Sequence, residues 1–352
     1  MFNLAIVLGV VLLLAILFLI FRISSLISVA KGGDSGKVDK GSNRINGAMF
    51  MIFLVVMGFL FFWYSFKDFE NYNLPVASEH GSEYEFMFWV TMAVTGVIFV
   101  LTQILLFYFS WKYQYKEDSR ALFYPENNKL EVIWTFVPAI VLAILVFTGW
   151  RVWTDVTAPA PENTNNIEIM GYQFAWAVRY PGVDGELGNS DYRVVDATNA
   201  FGIDFSDKAA YDDFIPREMH IPVGEPVTFN IRARDVLHSV FAPHFRLKMD
   251  AVPGMPTSFT FTATKTTEQM REELNDPDFN YEIACTEICG KGHFSMKLTM
   301  VVDETEDYLK WYAEQESFLK RNPEYLANVP ADLKELAMMK TGIDNKELEK
   351  QN

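Results

Sequence analysis

Four apolar runs of membrane-spanning length lie in the first 150 residues, at about 4–21, 48–66, 86–109 and 132–150. A helix needs about 20 mainly apolar residues to cross the roughly 30 Å of hydrocarbon in a bilayer. The runs therefore predict four transmembrane helices. No basic segment precedes the first run and no small-residue cleavage site follows it, so we expect this run to be retained rather than cleaved as a signal peptide.

Positive charges in the loops predict how these helices are oriented. Arg22, Lys31, Lys37, Lys40 and Arg44 lie between the first two runs, and Lys112, Lys116, Arg120 and Lys129 lie between the last two. The middle loop has Lys67 alone among several acidic residues. Because cytoplasmic loops are enriched in Lys and Arg, we expect the N-terminus and everything after Trp150 on the periplasmic side of a bacterial inner membrane.

The second part of the chain differs in charge and in hydrophobic pattern. It holds nearly all of the net charge of −15, which would repel nucleic acid. The negative charge would either attract a basic protein or serve solubility alone. Short alternating segments predict strands of a β-sandwich or barrel after the helices, and hence an α+β membrane protein. These segments are Ile167 to Tyr180, Glu218 to Ile231, Ser258 to Thr264 and Met296 to Val302.

Two stretches of this part lie outside the strand pattern. Residues 182–216 form a long acidic insertion, which is either a docking surface or a solvated loop. The tail, residues 303–352, is rich in Glu, Lys and Leu, and Asp303 to Lys320 predicts one amphipathic helix. Its predicted apolar side consists of Tyr308, Leu309, Tyr312 and Leu319.

One loop carries a set of potential metal ligands. It contains the only two cysteines, Cys285 and Cys289, followed by His293 and Met296. Thiolate, imidazole and thioether donors together suit copper. A short disulfide needs neither the histidine nor the methionine, and a tetrahedral zinc site does not use methionine. A blue-copper site needs only one cysteine, whereas two thiolates placed to bridge would suit two coppers.

Three motifs in order resemble subunit II of haem-copper cytochrome c oxidases over about residues 86–302. They are Asp-Val-Leu-His-Ser at 235–239, Lys-Met-Asp-Ala-Val-Pro-Gly at 248–254 and the cysteine loop. The resemblance implies a transmembrane hairpin at 81–152 and a cupredoxin-like Greek-key barrel with a binuclear copper-A centre at 153–302. Residues 1–80 are then an extra N-terminal hairpin with a flexible linker at 31–46. That hairpin is either a peripheral anchor or a docking element for a neighbouring respiratory complex.

The resemblance also implies a role for each candidate ligand. Cys285 and Cys289 would bridge the coppers, His238 and His293 would each bind one copper, and Met296 would be a weak ligand. Glu287 would offer its carbonyl to copper. Its carboxylate would bind a magnesium or manganese ion shared with the catalytic subunit.

Two further segments match the family's functional motifs in part. Glu131 stands in a Glu-x-Ile-Trp-Thr-x-x-Pro pattern, which in the family marks the entrance of a proton channel. The run Gly-Tyr-Gln-Phe-Ala-Trp at 171–176 has Phe174 where the family has its electron-accepting tryptophan, and Trp176 keeps the second tryptophan. This departure argues against direct electron entry from a soluble mitochondrial-type cytochrome c, and the other donor is a c-type cytochrome tethered or fused within a larger assembly (a supercomplex).

The function that the resemblance implies is electron transfer in an aerobic terminal oxidase. Electrons from a c-type cytochrome would pass through copper-A to haem in subunit I, where oxygen reduction is coupled to proton translocation. The alternatives are a thioredoxin-like copper-insertion chaperone, a quinol oxidase subunit without ligands, and a structural membrane subunit with a disulfide. The other histidines, His80, His220 and His244, have no role in this interpretation.

Overall fold

The computed structural model describes residues 2–30, 40–69, 73–116, 118–159, 161 and 164–343. Four helices contain the four apolar runs: α1 (Phe2–Ala30), α2 (Lys40–Lys67), α3 (Glu79–Lys112) and α4 (Asn128–Val156). Within the described residues, α2, α3 and α4 are long and apolar enough to cross a membrane, and α1 contributes the shorter apolar stretch Gly9–Ser24. Residues 31–39 of the predicted linker lie outside the described residues, and residues 40–46 are helical.

Aromatic side chains join α2 to the second half of α3. The ring centroids of Phe53 and Phe107 are 5.5 Å apart, and those of Phe61 and Phe99 are 6.0 Å apart. Such distances are typical of favourable aromatic contacts. The two helices therefore pack along a shared aromatic seam.

Nine strands form two sheets after α4. The strands are β1 (Asn165–Tyr172), β2 (Ala175–Arg179), β3 (Met219–Pro222), β4 (Pro226–Ala233), β5 (His238–Ala242), β6 (Leu247–Ala251), β7 (Thr257–Thr262), β8 (Tyr281–Cys285) and β9 (Lys297–Asp303). One sheet has the order β2-β1-β4-β7, and the other has the order β3-β9-β8-β5-β6. The β1–β4 and β3–β9 pairs are parallel and the other pairs are antiparallel. This two-sheet arrangement agrees with the expected cupredoxin-like domain.

The core lies between the two sheets and follows the alternation of the strands. Along β4, the buried side chains of Val227, Phe229 and Ile231 point to one face. The opposing sheet contributes Met300 and Ile283, which are also fully buried. Burial of such side chains stabilises the fold by roughly 1.5–3 kcal/mol each, which explains why the register is well determined.

The segment before α3 is attached to the β domain. Ala77 is fully buried, its N–H donates to the carbonyl of His244 at 2.8 Å, and its own carbonyl accepts from Thr264 at 2.8 Å. Arg246 bonds the Leu74 carbonyl at 2.7 Å and forms a 2.8 Å ion pair with Glu85 in α3. The first turns of α3 are thus fixed to the domain that carries the cysteine loop.

The acidic insertion and the tail share a second hydrophobic core. The insertion contributes buried residues between Phe201 and Tyr211, and the tail contributes buried residues between Phe318 and Ile343. Phe205 and Phe318 stack with their centroids 6.1 Å apart. The insertion is therefore packed rather than merely solvated, although its surface is acidic.

The tail does not form the single helix predicted over Asp303 to Lys320. The short helix α5 (Thr267–Leu274) lies before the tail, between β7 and β8. The tail itself contains three separate helices, which are α6 (Thr305–Ala313), α7 (Phe318–Arg321) and α8 (Lys334–Thr341). The Ser317 side chain caps α7, and the N–H of Phe318 donates to the carbonyl of Asp213 at 2.7 Å. This break turns the chain into the second core, so Leu319 is fully buried while Leu309 is 59% exposed.

A buried charge cluster lies where the two cores meet. The Arg179 side chain donates to Glu168 at 2.6 Å, to Asp213 at 3.0 Å and to Ser190 at 3.2 Å. Arg232 forms a second ion pair with Glu168 at 3.0 Å. All of these charges except Arg232 are nearly or fully buried, so each depends on its partner.

Candidate metal centre

Adjacent strands bring two distant ligand candidates together. His238 begins β5 and Cys285 ends β8, and these strands are antiparallel neighbours with Val240 paired to Cys285. His238 is fully buried and Cys285 is 8% exposed. The sequence pattern did not indicate these two strands, because each is only five residues long and overlaps a ligand motif.

The potential donor atoms form a continuous chain of short separations. The Cys285 Sγ atom lies 3.9 Å from His238 Nδ1 and 3.2 Å from the Glu287 carbonyl oxygen. The Cys289 Sγ atom lies 3.7 Å from His293 Nδ1 and 3.8 Å from Met296 Sδ. The donor atoms of His238, Cys285 and Cys289 all lie within 4.8 Å of one another. Each thiol thus has its own imidazole neighbour.

These separations fit ligands of shared metal ions. Nitrogen and sulfur ligands held at about 2.0–2.3 Å around a tetrahedral ion lie roughly 3.5–3.8 Å apart. The imidazole–sulfur and sulfur–sulfur distances given above are close to this range. Two thiols, two imidazoles and a thioether are also the soft and borderline donors that copper selects. The residues present therefore fit a copper site, and two thiols offer enough donors for more than one ion.

Both cysteines are free thiols in a buried environment, not a disulfide. Burial, with the neighbouring Cys285 as the next cause, raises the pKa of Cys289 to about 11. Without a metal, that thiol holds its proton at neutral pH. Metal binding must therefore release a proton from Cys289.

Asp235 orients the imidazole of His238. The His238 Nε2–H donates to Asp235 Oδ1 at 2.9 Å, which leaves Nδ1 facing Cys285. The Asp235 carboxylate is itself held by the backbone N–H groups of Gln173 at 2.8 Å and Val236 at 2.7 Å. Such a carboxylate fixes the tautomer of a metal-binding histidine and raises its basicity. The sequence motif did not indicate this role, although Asp235 stands three residues before His238 in it.

Replacing Asp235 with asparagine is expected to weaken copper binding about 10- to 100-fold, the usual cost of losing an outer partner of a ligand histidine. An amide can still hydrogen-bond but no longer supplies the negative charge that supports the imidazole. Competition titration with a copper chelator measures the change. Asp278→Asn is the matched control, because Asp278 is exposed and lies outside the ligand segments 235–239 and 285–296. Equal copper affinities in the two variants would contradict the role of Asp235.

The β1–β2 turn covers the cysteine loop. The Gln173 side chain donates to the carbonyl of Cys289, and the Phe174 ring lies on the two glycines that follow. A Cβ at Gly292 would come within 2.5 Å of Phe174 Cγ, and Gly290 has φ +135°. Only glycine fits at these two positions, which explains the Gly-Lys-Gly sequence of the loop.

Phe174 and Trp176 differ in their access to solvent. Phe174 is 39% exposed, whereas Trp176 is 6% exposed and its ring centroid lies 5.9 Å from that of His238. On the cysteine loop, which the Phe174 ring contacts, the large side chains of Ile288 and Phe294 are 83% and 85% exposed. The surface over the candidate ligands therefore exposes large apolar side chains next to the charged Glu287 and Lys291, which are also exposed.

Glu131, Glu287 and His220 have different surroundings. Glu131 lies in the first turn of α4. Glu287 is exposed, so its carboxylate is open to solvent while its carbonyl faces Cys285. His220 pairs with Asp303 at 2.6 Å and stacks on Trp311.

The other two histidines are surrounded by aromatic rings. His80 contacts Tyr84, Phe259 and Phe261. His244 contacts Phe279 and Tyr281, and burial, followed by the nearby Arg246 charge, lowers its pKa to about 4. Neither is among the residues grouped as a possible metal site in the described part of the chain.

The fold and the site together define a class: a membrane protein whose β domain carries a buried thiol–imidazole metal site. Comparison with known proteins identifies the family. The sequence model of the cytochrome c oxidase subunit II transmembrane domain matches residues 71–152, and that of the subunit II periplasmic domain matches residues 166–304. The chain belongs to the cytochrome c oxidase subunit II family.

Individual relatives agree with this assignment. The alternative cytochrome c oxidase subunit 2 of Bradyrhizobium diazoefficiens is 34% identical over 232 residues, covering 65% of this chain and 79% of that protein. The cytochrome c oxidase subunit 2 of Cereibacter sphaeroides is 26% identical over 250 residues, covering 67% and 77% respectively. A crystal structure of the periplasmic domain of subunit II of Bradyrhizobium japonicum cytochrome oxidase is 23% identical and covers 44% of this chain and 95% of that one. Its TM-score is 0.30.

Proposed function

We propose that this chain is the electron-transfer subunit of an aerobic terminal oxidase. It accepts electrons from a c-type cytochrome at a binuclear copper-A centre. It then passes them to haem in subunit I, where oxygen is reduced to water and protons are translocated. The observation that carries the proposal is the pairing of one imidazole with each of two buried free thiols.

The five donor side chains would divide between two ions. Cys285 and Cys289 would bridge, His238 and His293 would each hold one ion, and Met296 would be the weak ligand beside His293. The Glu287 carbonyl, which lies near Cys285, would complete the shell on the His238 side. A pair of thiolate-bridged coppers supplies one-electron transfer with little rearrangement, because both ions share the change in charge.

The surrounding residues hold these donors in place before any metal arrives. Asp235 and the β1–β2 turn fix His238 and the Cys289 backbone through hydrogen bonds. Exclusion of water from Cys285 and Met296 by the β domain lowers the local dielectric. Both effects limit the movement of ligands when the charge changes.

Copper loading of the full-length chain tests the proposal. We expect two coppers per chain, a purple absorption spectrum and an electron paramagnetic resonance signal with hyperfine splitting from both copper nuclei. One copper per chain with a blue, single-nucleus signal would refute the binuclear centre. A chain that releases its copper to another apoprotein but accepts no electron from reduced cytochrome c would favour the copper-chaperone alternative.

The apolar surface at Phe174 is the proposed point of electron input. Phe174 is partly exposed and packs on the cysteine loop, while Trp176 lies behind it against His238. Exposed Ile288 and Phe294 extend this surface. Exposed apolar patches of this kind suit a transient protein partner, and the acidic domain would steer a basic cytochrome towards this surface. A tethered donor within a supercomplex would use the same surface.

Glu131 is proposed to stand at the entrance of a proton channel in subunit I. Its support is the Glu-x-Ile-Trp-Thr-x-x-Pro motif and its place in the first turn of α4. Glu131→Gln is expected to lower the turnover of the assembled oxidase several-fold, because an amide cannot accept and release a proton at the channel entrance as a carboxylate can. Oxygen consumption measures this. Glu126→Gln, the same change in the loop before α4, should leave turnover unchanged, and equal rates for both variants would contradict the role.

The carboxylate of Glu287 is proposed to bind magnesium or manganese at the boundary with subunit I. Carboxylate oxygens suit these hard ions, and this carboxylate is exposed on the cysteine loop. One residue would then contact both metal sites, through its carbonyl and through its side chain.

The membrane topology proposed for the chain has four spans, with the N-terminus and the copper domain on the periplasmic side. Loop charges support it, because the basic loops alternate with the acidic one. Residues 1–80 form the proposed extra hairpin, 81–152 the hairpin of the family, 153–302 the copper domain and 303–352 the tail.

A further inference from the structure

A basic cavity lies at one end of the α2–α3 pair, where α2 begins and α3 ends. Its volume is about 490 Å³. It is lined by Lys40, Arg44, Trp111, Lys112, Gln114, Tyr115, Lys116 and Asp118. Among the described residues that line this concave site, four are cations and one is a carboxylate, within a chain whose net charge is −15.

Contacts between the helices hold the walls of this basic cavity. Gly47 is buried in α2, and a Cβ built there would lie 3.1 Å from the Gln114 side chain and 3.4 Å from Trp111. The Asn43 side chain donates to the carbonyl of Tyr115 at 3.0 Å. The two segments, about 70 residues apart in sequence, are therefore held at close range. The start of α2 and the segment that follows α3 therefore form opposite walls of the cavity and contact each other directly.

Three of the cations that line the basic cavity, Arg44, Lys112 and Lys116, form no ion pair with a carboxylate within the part of the chain that the structure describes. Lys112 instead lies over the rings of Tyr108 and Tyr113, at 5.3 and 5.4 Å from their centroids. The general enrichment of Lys and Arg in cytoplasmic loops explains why basic residues occur at this end of the helices. It does not explain why their side chains line one cavity.

The surroundings of the basic cavity indicate a ligand that is anionic at one end and apolar at the other. Tyr and Trp side chains at its rim are typical of the interface between membrane and water. Immediately along the same helices, the exposed residues are apolar, among them Phe50, Met49 and Phe109. A lipid whose phosphate group occupied the cavity would therefore have its acyl chains lying along α2 and α3.

We propose that the basic cavity binds the headgroup of an anionic phospholipid. Arg44, Lys112 and Lys116 would contact the phosphate oxygens, and Trp111 and Tyr115 would pack on the glycerol region. Basic pockets between transmembrane helices on the cytoplasmic side are suited to such headgroups. Arg is well matched to a phosphate because its guanidinium can donate two parallel hydrogen bonds.

Native mass spectrometry of the full-length chain tests the proposal. The chain is purified in micelles doped with phosphatidylglycerol, cardiolipin or phosphatidylcholine of matched acyl chains, and the bound lipid is counted. We expect the two anionic lipids to be retained at least about tenfold better than phosphatidylcholine. Arg44→Gln and Lys112→Gln should each lower retention about fivefold, and together about 30-fold, from the usual contribution of one cation near an anionic headgroup.

Lys67→Gln is the matched control, because Lys67 ends the same helix α2 and also lies over an aromatic ring, that of Trp63. It should leave retention unchanged. The charge-preserving pair Arg44→Lys and Lys112→Arg should retain the lipid, which separates lost charge from lost folding. Equal retention of phosphatidylcholine, or unchanged retention in the double glutamine variant, would overturn the proposal. Displacement of the lipid by excess inorganic phosphate would assign the cavity to a free anion instead.

Discussion

Replacement of Cys289 by serine is expected to abolish the binuclear copper signal and, in the assembled oxidase, to reduce electron transfer from cytochrome c to background. The Cys289 Sγ atom lies 3.7 Å from His293 Nδ1 and 3.8 Å from Met296 Sδ. It also lies within 4.8 Å of the donor atoms of His238 and Cys285. Cys289 therefore links His293 and Met296 to His238 and Cys285. A serine hydroxyl is a hard, weakly acidic donor that does not bridge copper as a thiolate does. Any copper that remains should be a single ion near His238 and Cys285.

Copper analysis and electron paramagnetic resonance of the purified chain measure this loss. Ile288→Ser is the matched control, because Ile288 lies in the same loop between the two cysteines and is 83% exposed. It should keep both coppers and the shared-electron signal. If Cys289→Ser retained two coppers with splitting from both nuclei, Cys289 would not be a bridging ligand.

Replacement of Arg179 by methionine is expected to destabilise the β domain by about 3–5 kcal/mol. Arg179 bonds two carboxylates, Glu168 and Asp213, that are 4% and 0% exposed. Methionine fills much of the same volume but leaves both charges without their shared partner. Denaturant unfolding of the full-length chain in detergent, followed by the circular dichroism of the β-sheets, measures the free energy of unfolding.

The loss should depend on pH. Burial raises the pKa of Asp213 to about 7, with Arg179 the largest opposing influence. A carboxyl with a folded pKa above its unfolded value gives stability at low pH that is lost as the pH rises through the folded pKa. In Arg179→Met, without the opposing cation, Asp213 keeps its proton to higher pH, so the destabilisation should be smaller at pH 6 than at pH 8.

Arg193→Met is the control for the buried cluster. Arg193 also has a carboxylate partner, Asp191 at 3.6 Å, but its side chain is 72% exposed. Exposed ion pairs contribute about 0–1 kcal/mol, so this variant should unfold almost as the parent does. Equal destabilisation by the two substitutions would show that the loss at Arg179 is not due to unpaired buried charge.

The candidate ligands could be predicted from sequence because most of them are close together in the chain. Cys285, Cys289, His293 and Met296 span one loop, so their spacing alone limits them to a shared site. The alternation of apolar and polar residues is also a local pattern. It located approximately the strands β1 and β2 around Tyr172 and the strands β3 and β4 around Pro222. Local patterns of this kind carry information that does not depend on the rest of the fold.

Features that depend on distant residues could not be predicted. Gln173 reaches the Cys289 backbone across 116 positions, and its N–H reaches Asp235 across 62. The predicted tail helix was wrong for the same reason. Its periodicity continues to Lys320, but the backbone bond from Phe318 to Asp213 turns the chain at residues 314–317. The strands β5 and β8 are short, and each is stabilised by pairing with the other, which local composition does not indicate.

The shared second core sets an order of events during biosynthesis. The insertion around Phe205 leaves the ribosome well before Phe318, and its apolar side chains have no cover until the tail is synthesised. The cysteine loop emerges between the two. Final closure of the domain therefore comes after Cys285 and Cys289 have been synthesised. A fragment cut at residue 304, where the family match ends, would leave this apolar face open and would be prone to aggregate.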